Sequence, residues 1–205
     1  MKFCIALSAL SLLAPGVLAG PAKVERDIAT IQGVLSDINS QVNALQTAIQ
    51  ATPLDPEAIV AQSDTLVQTI KDGAVTVNAQ PVLTQLEALG LVAPTQQLAD
   101  DTDATVQTLI GVKEDIVELG EGCTTLEALQ AQYEAAQELA AAIVSKVPDA
   151  LGDIANELAQ SISTAIQNGI DAYQGTCDGG EPTSTTEPPT STPSPTRTAC
   201  PAPKK

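Results

Sequence analysis

The sequence contains no histidine and no tryptophan, and its single phenylalanine, Phe3, sits at the very start. Without histidine the chain lacks the usual general base at neutral pH and the commonest protein metal ligand. A serine or cysteine nucleophile would have no imidazole to activate it. Beyond Phe3 the aromatics are Tyr133 and Tyr173, so any core must be aliphatic, built from Leu, Ile, Val and Ala. Positive charge is also scarce. Nine Lys and Arg face 25 Asp and Glu, a formal net charge of -16. No basic patch exists to grip phosphates, which argues against nucleic acid as a partner and against charge-driven binding to anionic headgroups.

What is present begins with a leader. Residues 1–19 read as a secretory signal peptide: Lys2 is the positive start, Ile5 to Leu13 the apolar run, and Val17-Leu18-Ala19 the small-residue cleavage pattern. The apolar run is too short for a membrane anchor, and Pro15 and Gly16 follow it. Removing Lys2 leaves 8 basic groups against 25 acids, a net of -17. Of the four cysteines, Cys4 belongs to the leader; Cys123, Cys177 and Cys200 reach an oxidising compartment, where a disulfide is expected.

From Val24 to Ile49 apolar residues recur at alternating steps of four and three: Val24, Ile28, Ile31, Leu35, Ile38, Val42, Leu45 and Ile49. The residues between them are polar, which predicts a long amphipathic helix with one apolar stripe. Asp55, Pro56 and Glu57 are an N-cap, a first-turn proline and a first-turn acid, so a second helix runs from there to about Ala79. Val82 to Val92 reads as a brief helical turn plus connector. A third long helix is expected from Pro94 to Leu119, stopped by Gly120-Glu-Gly122. Thr124-Thr-Leu-Glu127 has the capping-box pattern and predicts the start of a fourth, with Tyr133 on its stripe. A fifth runs from Pro148 to Tyr173, with Gly175 as its stop.

The expectation is therefore all-α: a five-helix antiparallel bundle over residues 20–177, one domain large enough for a single core. Residues 178–205 are dominated by Thr, Ser and Pro and read as a disordered, O-glycosylated tail. The chain ends in Lys204-Lys205 with no hydrophobic stretch, so no GPI signal is read, and no transmembrane segment is expected. Cys123 precedes the fourth helix and Cys177 follows the fifth. An antiparallel hairpin would bring them together, predicting a Cys123–Cys177 bridge with Cys200 left over; the competing arrangement is a short-range pair in the tail.

The segments Arg26 to Ile31 (Arg-Asp-Ile-Ala-Thr-Ile) and Thr52 to Gly73, followed by the Ser/Thr/Pro tail, resemble the fungal hydrophobic surface binding protein A family, which also takes in cell-wall galactomannoproteins. The resemblance covers roughly residues 24 to 176. It implies adsorption to hydrophobic solids with recruitment of a secreted cutinase-type esterase, and five-helix bundles that bind fatty acids in an apolar cavity. Its motifs are patterns of small and aliphatic residues, so no binding residue carries over. It also implies a secreted or cell-wall location.

Three functions follow for weighing. For an enzyme, the available carboxylates (Asp100, Asp101, Asp103, Glu114, Asp115) lie among polar neighbours on helix surfaces, and the acidic run lacks EF-hand spacing, so neither catalysis nor a metal or cofactor is expected. For a carrier of long-chain fatty acids, an aliphatic interior with Gly33, Gly73, Gly111 and Gly169 inside helix patterns would leave room for a chain; close helix packing is the plainer use of each glycine. For adsorption to hydrophobic surfaces, the helices would present their stripes outward. An inert secreted or wall mannoprotein is the alternative to all three. The candidate contact residues are Leu35, Ile38, Val42, Leu66, Ile70, Leu109, Ile143 and Ile162.

Overall fold

The computed structural model describes residues 24–177, with side chains from residue 28 onward. The expected signal peptide, the Ser/Thr/Pro-rich segment, Cys200 and the GPI question lie outside the described residues. Among the described residues all regular structure is helical. Helix α1 spans Val24–Ile49, α2 Pro56–Asn78, α3 Gln85–Leu89, α4 Val92–Gly111, α5 Lys113–Glu118, α6 Gly122–Val144 and α7 Gly152–Tyr173, with a 3-10 turn at Asp149–Leu151.

Local chemistry sets most of these limits. The α1 stripe from Ile31 to Ile49 is buried along its whole length. Asp55 caps α2, accepting from the Ala58 amide at 3.2 Å, with Pro56 in the first position. Gly120 and Gly175 both take φ of +84°, a conformation open to glycine without strain, and they turn the chain away after α5 and α7.

Three boundaries differ from the sequence expectation. The segment expected as one helix from Pro94 to Leu119 breaks at Val112 into α4 and α5. The fifth helix does not start at Pro148; the 3-10 turn comes first. Helix α6 starts two residues before the Thr124 capping-box pattern, and no side chain caps it. The capping box forms instead on α3, where Thr84 accepts from the Glu87 amide and Glu87 accepts from the Thr84 amide at 2.7 Å. A local pattern cannot say which of two Thr-x-x-Glu segments has a free amide end to satisfy.

The five long helices close into a ring in the spatial order α1, α2, α6, α7, α4 and back to α1. Helix directions follow from paired residues. Gln62 donates to Gln41 at 2.6 Å and Gly73 faces Val34, so α1 and α2 are antiparallel. Gln137 reaches Ser163 at 3.4 Å and Cys123 joins Cys177, so α6 and α7 are antiparallel too. The other three contacts are parallel. Gln32 donates to the Gly90 carbonyl and Asn43 to Asp101, setting α1 beside α4. Gln132 donates to Ser63 and Lys146 to the Asn78 carbonyl, setting α6 beside α2. Val106 faces Gly169 and the Leu109 carbonyl accepts from Tyr173, setting α4 beside α7. The expected antiparallel bundle is thus corrected to a mixed one. An odd number of helices cannot alternate direction around a closed ring.

The two ends of the ring differ. At one, the Cys123–Cys177 bridge forms (Cα–Cα 4.5 Å), the pairing expected from the hairpin. There Tyr173 is fully buried, its hydroxyl donates to Leu109 O at 3.0 Å, and Lys113 lies 5.9 Å from the centre of its ring. Burial pushes the Tyr173 phenol well above its usual range. At the other end, α3 and the 3-10 turn meet the starts of α4 and α7. Here Leu83 N–H donates to Lys146 O at 2.8 Å, and a Cβ on Gly90 would lie 2.8 Å from Ile28.

Candidate functional site: an aliphatic cavity inside the ring

Because the ring is built from Leu, Ile, Val and Ala, its centre is not filled solid. A cavity of about 70 Å³ lies on the axis. Seven of the eight residues singled out from the sequence line it: Leu35, Ile38 and Val42 from α1, Leu66 and Ile70 from α2, Ile143 from α6 and Ile162 from α7. Leu109 does not. It borders a separate void of about 20 Å³ near the disulfide end, with Leu45, Ile59 and Leu129.

The void exists because the facing positions of α6 and α7 carry small residues, Ala136, Ala140, Ala155 and Ala159. They sit opposite branched residues of α1 and α2 without reaching them. The signal in the sequence was alanine recurring on an apolar stripe, whereas the helix glycines proved a poor guide. A Cβ on Gly73 would lie 2.7 Å from Val34, and one on Gly169 would lie 3.1 Å from Val106, so both serve close packing. Gly33 and Gly111 have open space around them, and none of the four lines the cavity.

The lining holds no charged group; its polar members are Thr95, Thr102 and Gln132, none of them anticipated as contacts. Each makes a hydrogen bond. Thr95 and Thr102 donate to Leu91 O at 2.8 Å and Leu98 O at 2.7 Å, and Gln132 donates to Ser63. A hydroxyl bound to its own helix leaves its methyl toward the void, so the wall behaves as hydrocarbon. Tyr133, expected on the inner stripe of α6, is half-buried: it packs against the core and also borders an open groove between α6 and α7, while Gln132 beside it is buried.

A third void, about 40 Å³, lies at the α3 end and is lined by residues including Ala88, Leu91, Leu151, Ile154 and Leu158. It shares Thr95, Ile143 and Ala155 with the central cavity, so those residues form the partition between them. The wall on this side is thin. From Gly152 to Thr164 no residue of α7 is buried, although Leu158 and Ile162 point inward and Ile154 is 42% exposed. Burial on α7 resumes at Ala165.

The carboxylates considered for catalysis stand apart from these voids. Asp100, Asp103, Glu114 and Asp115 are exposed. Asp101 is held below the usual carboxylate range by hydrogen bonds from Gln97, Asn39 and Asn43 on the outer α1–α4 seam. No group of residues able to hold a metal ion occurs among the described residues, and none of their helices is long and apolar enough to cross a membrane.

A helical ring around a hydrocarbon-walled cavity defines an all-α protein with an apolar interior site. The chain belongs to the hydrophobic surface binding protein A family, whose model matches residues 28–145. It is 42% identical over 175 residues to cell wall mannoprotein 1 of Aspergillus fumigatus, covering 85% of this chain and 61% of that one. It is 36% identical over 167 residues to cell wall mannoprotein 1 of Aspergillus flavus, covering 81% of this chain and again 61% of the relative. The chain therefore spans about three-fifths of the length of these curated relatives. Among solved structures, ligand binding domain 2 of the Penicillium marneffei MP1 protein, complexed with multiple arachidonic acids, superposes with a TM-score of 0.72 at 36% identity, over 75% of this chain and 99% of that domain.

Proposed function

We propose that this protein is a secreted or cell-wall, non-catalytic binder of long-chain fatty acids, which it holds along the axis of the helical ring. The observation that carries the reading is the uncharged aliphatic cavity and its near-continuation, past Thr95, Ile143 and Ala155, to the α3 end. The likeness to a domain complexed with arachidonic acids supports it. Each acyl methylene moved from water into such a wall gains about 0.8 kcal/mol. At about 70 Å³ the cavity is far below the ~300 Å³ of ordinary ligand pockets, so loading requires the ring to widen. The first half of α7, with no buried residue before Ala165, is the wall that yields at least cost. Candidate contacts are Leu35, Ile38, Val42, Leu66, Ile70, Ile143 and Ile162, with Ala136, Ala140 and Ala159 facing them; Leu109 would be reached by a second or longer chain. The test is extraction and mass spectrometry of the secreted protein, then titration of delipidated protein with a fluorescent fatty acid. Saturable one- or two-site binding at micromolar concentration or tighter is expected. Absence of both bound lipid and titration ends the reading.

A second reading, adsorption to hydrophobic solids, is favoured by the exposed Val82, Leu86 and Leu89 and by the family to which the chain belongs. An adsorbed bundle could bring a secreted cutinase-type esterase to its insoluble substrate by raising local concentration. Depletion of the protein from solution by polyester beads, with and without added esterase, separates adsorption from recruitment. If neither adsorption nor fatty-acid binding occurs, an inert mannoprotein is left.

A further inference from the structure

The large exposed hydrophobic residues are not spread evenly. Val82 is 67% exposed, Leu86 81% and Leu89 51%, and these three lie on or just before α3 at one end of the ring; Val75 near the end of α2, Ile154 near the start of α7 and Leu119 at the opposite end are the others among the described residues. Leu86 and Leu89 are three residues apart and share a face of that helix. The opposite face of the same segment is anchored: Leu83 and Ala88 are buried, and Leu83 is hydrogen-bonded to Lys146 O. The capping box holds the start of α3 in place. A short segment fixed in this way displays its outer leucines rigidly, at a cost in hydration that nothing in the fold itself returns.

Two further observations say what covers this face. The first is continuity with the interior. Ala88 lines the void at this end together with Ile154 across the mouth, and that void abuts the central cavity. The second is the placement of charge. The disulfide end carries Asp55, Glu57, Glu114, Asp115, Glu118 and Glu121 against Lys113. The α3 end carries Glu87, Asp149 and Asp153 against Lys146; a little below, Lys71 stands with Asp72 and Glu138, and Glu157 follows on α7. The molecule has a strongly acidic end suited to water and a less acidic end that is apolar. The last described residue, Cys177, lies at the acidic end, opposite α3.

We propose that the α3 end is the face that seats on an uncharged lipid surface, with Val82, Leu86 and Leu89 inserted and the void behind Ala88 and Ile154 opening toward the lipid. An acyl chain then passes from the lipid phase into the ring between α3 and the first turns of α7 without crossing water. The docking part stands on exposure and charge; the transfer part rests on the fatty-acid reading above. With a net charge of -16, an anionic surface repels the chain, so the surface is a zwitterionic one.

The experiment compares the parent protein with a triple variant, Val82→Ser, Leu86→Ser and Leu89→Ser, and with Leu119→Ser, which removes a 53%-exposed leucine from the acidic end. All these side chains project into solvent, so folding, checked by circular dichroism, is retained. Partition onto phosphatidylcholine vesicles is measured by flotation, and binding of fatty acid from submicellar solution by titration. The expected result is a fall in partition of about tenfold or more for the triple variant. Leu119→Ser should partition like the parent, and both variants should keep solution binding within about twofold. Uptake of fatty acid from vesicles should slow only in the triple variant. The proposal is overturned if the parent ignores vesicles or if both variants lose partition equally. It is also overturned if the α3 end proves to pair two copies of the chain, seen as a concentration-dependent dimer in sedimentation that the triple variant abolishes. Should no form bind fatty acid in solution, the carrier reading fails while the flotation result still decides the docking face.

Discussion

Replacing Ala136 by leucine tests the cavity in two directions at once. Ala136 is 9% exposed and faces the axial void from α6. Leucine adds three carbons there. Filling a void of about 70 Å³ at about 24 cal/mol per Å³ returns up to about 1.7 kcal/mol. Strain from imperfect fit takes some of this back, so a net gain of about 1 kcal/mol is expected, or ~2–4 °C in Tm for a domain of this size. The same three carbons occupy space an acyl chain needs. Displacing about three methylenes of ligand at ~0.8 kcal/mol each weakens fatty-acid binding by about 50-fold. The variant should thus be more stable and a poorer binder. Thermal melts and fluorescent fatty-acid titrations on delipidated protein measure both. An unchanged Kd alongside a raised Tm would refute the reasoning, because the chain would then lie outside the ring, with the α6–α7 groove at Tyr133 as the next place to look.

Three further outcomes follow from the packing. Reducing the Cys123–Cys177 bridge frees a loop set by a sequence separation of 54, which costs about 4 kcal/mol in the chain-entropy account and lowers Tm by ~10 °C in calorimetry with and without reductant. Tyr173→Phe leaves Leu109 O without its donor at a buried site and costs ~1–2 kcal/mol. Because the native phenol is raised above its unfolded value, its contribution is complete below about pH 10 and fades as pH rises past it; a parent Tm that drops above pH 10 while Tyr173→Phe stays level confirms the cause. Gly73→Ala and Gly33→Ala should have opposite signs by urea titration. The first drives a methyl to 2.7 Å from Val34 and destabilises by ~1–3 kcal/mol; the second meets nothing and adds up to ~1 kcal/mol of helix propensity.

How much of this was legible in the sequence depended on range. The inner face of α1 could be read residue by residue, because a long stripe between polar neighbours has one solution. That same face supplies Leu35, Ile38 and Val42 to the cavity. The Cys123–Cys177 pairing followed from a single hairpin. Ring order was illegible, since periodicity gives each helix a face but not a neighbour, and three parallel contacts therefore read as antiparallel. On α7 the apolar positions Leu151, Ile154, Leu158 and Ile162 recur at helical spacing, yet burial begins only at Ala165. Alanines on the facing α6 surface leave that half with too little to pack against. Leu109 was placed with the other contacts because it lies on the inward face of its own helix, but it is too near the disulfide end to reach the axial void.

The ring order also explains the two short helices. Helices α2 and α4 both adjoin α1 rather than each other, and α4 and α6 both adjoin α7. The chain must therefore stride over α1 on one side and over α7 on the other, where simple reversals suffice at 50–55 and 145–148. Gly90 against Ile28 and Lys113 over Tyr173 are the footfalls of those strides. New termini or inserted residues are best borne by the two reversals, whereas shortening either overpass would pull the ring out of order.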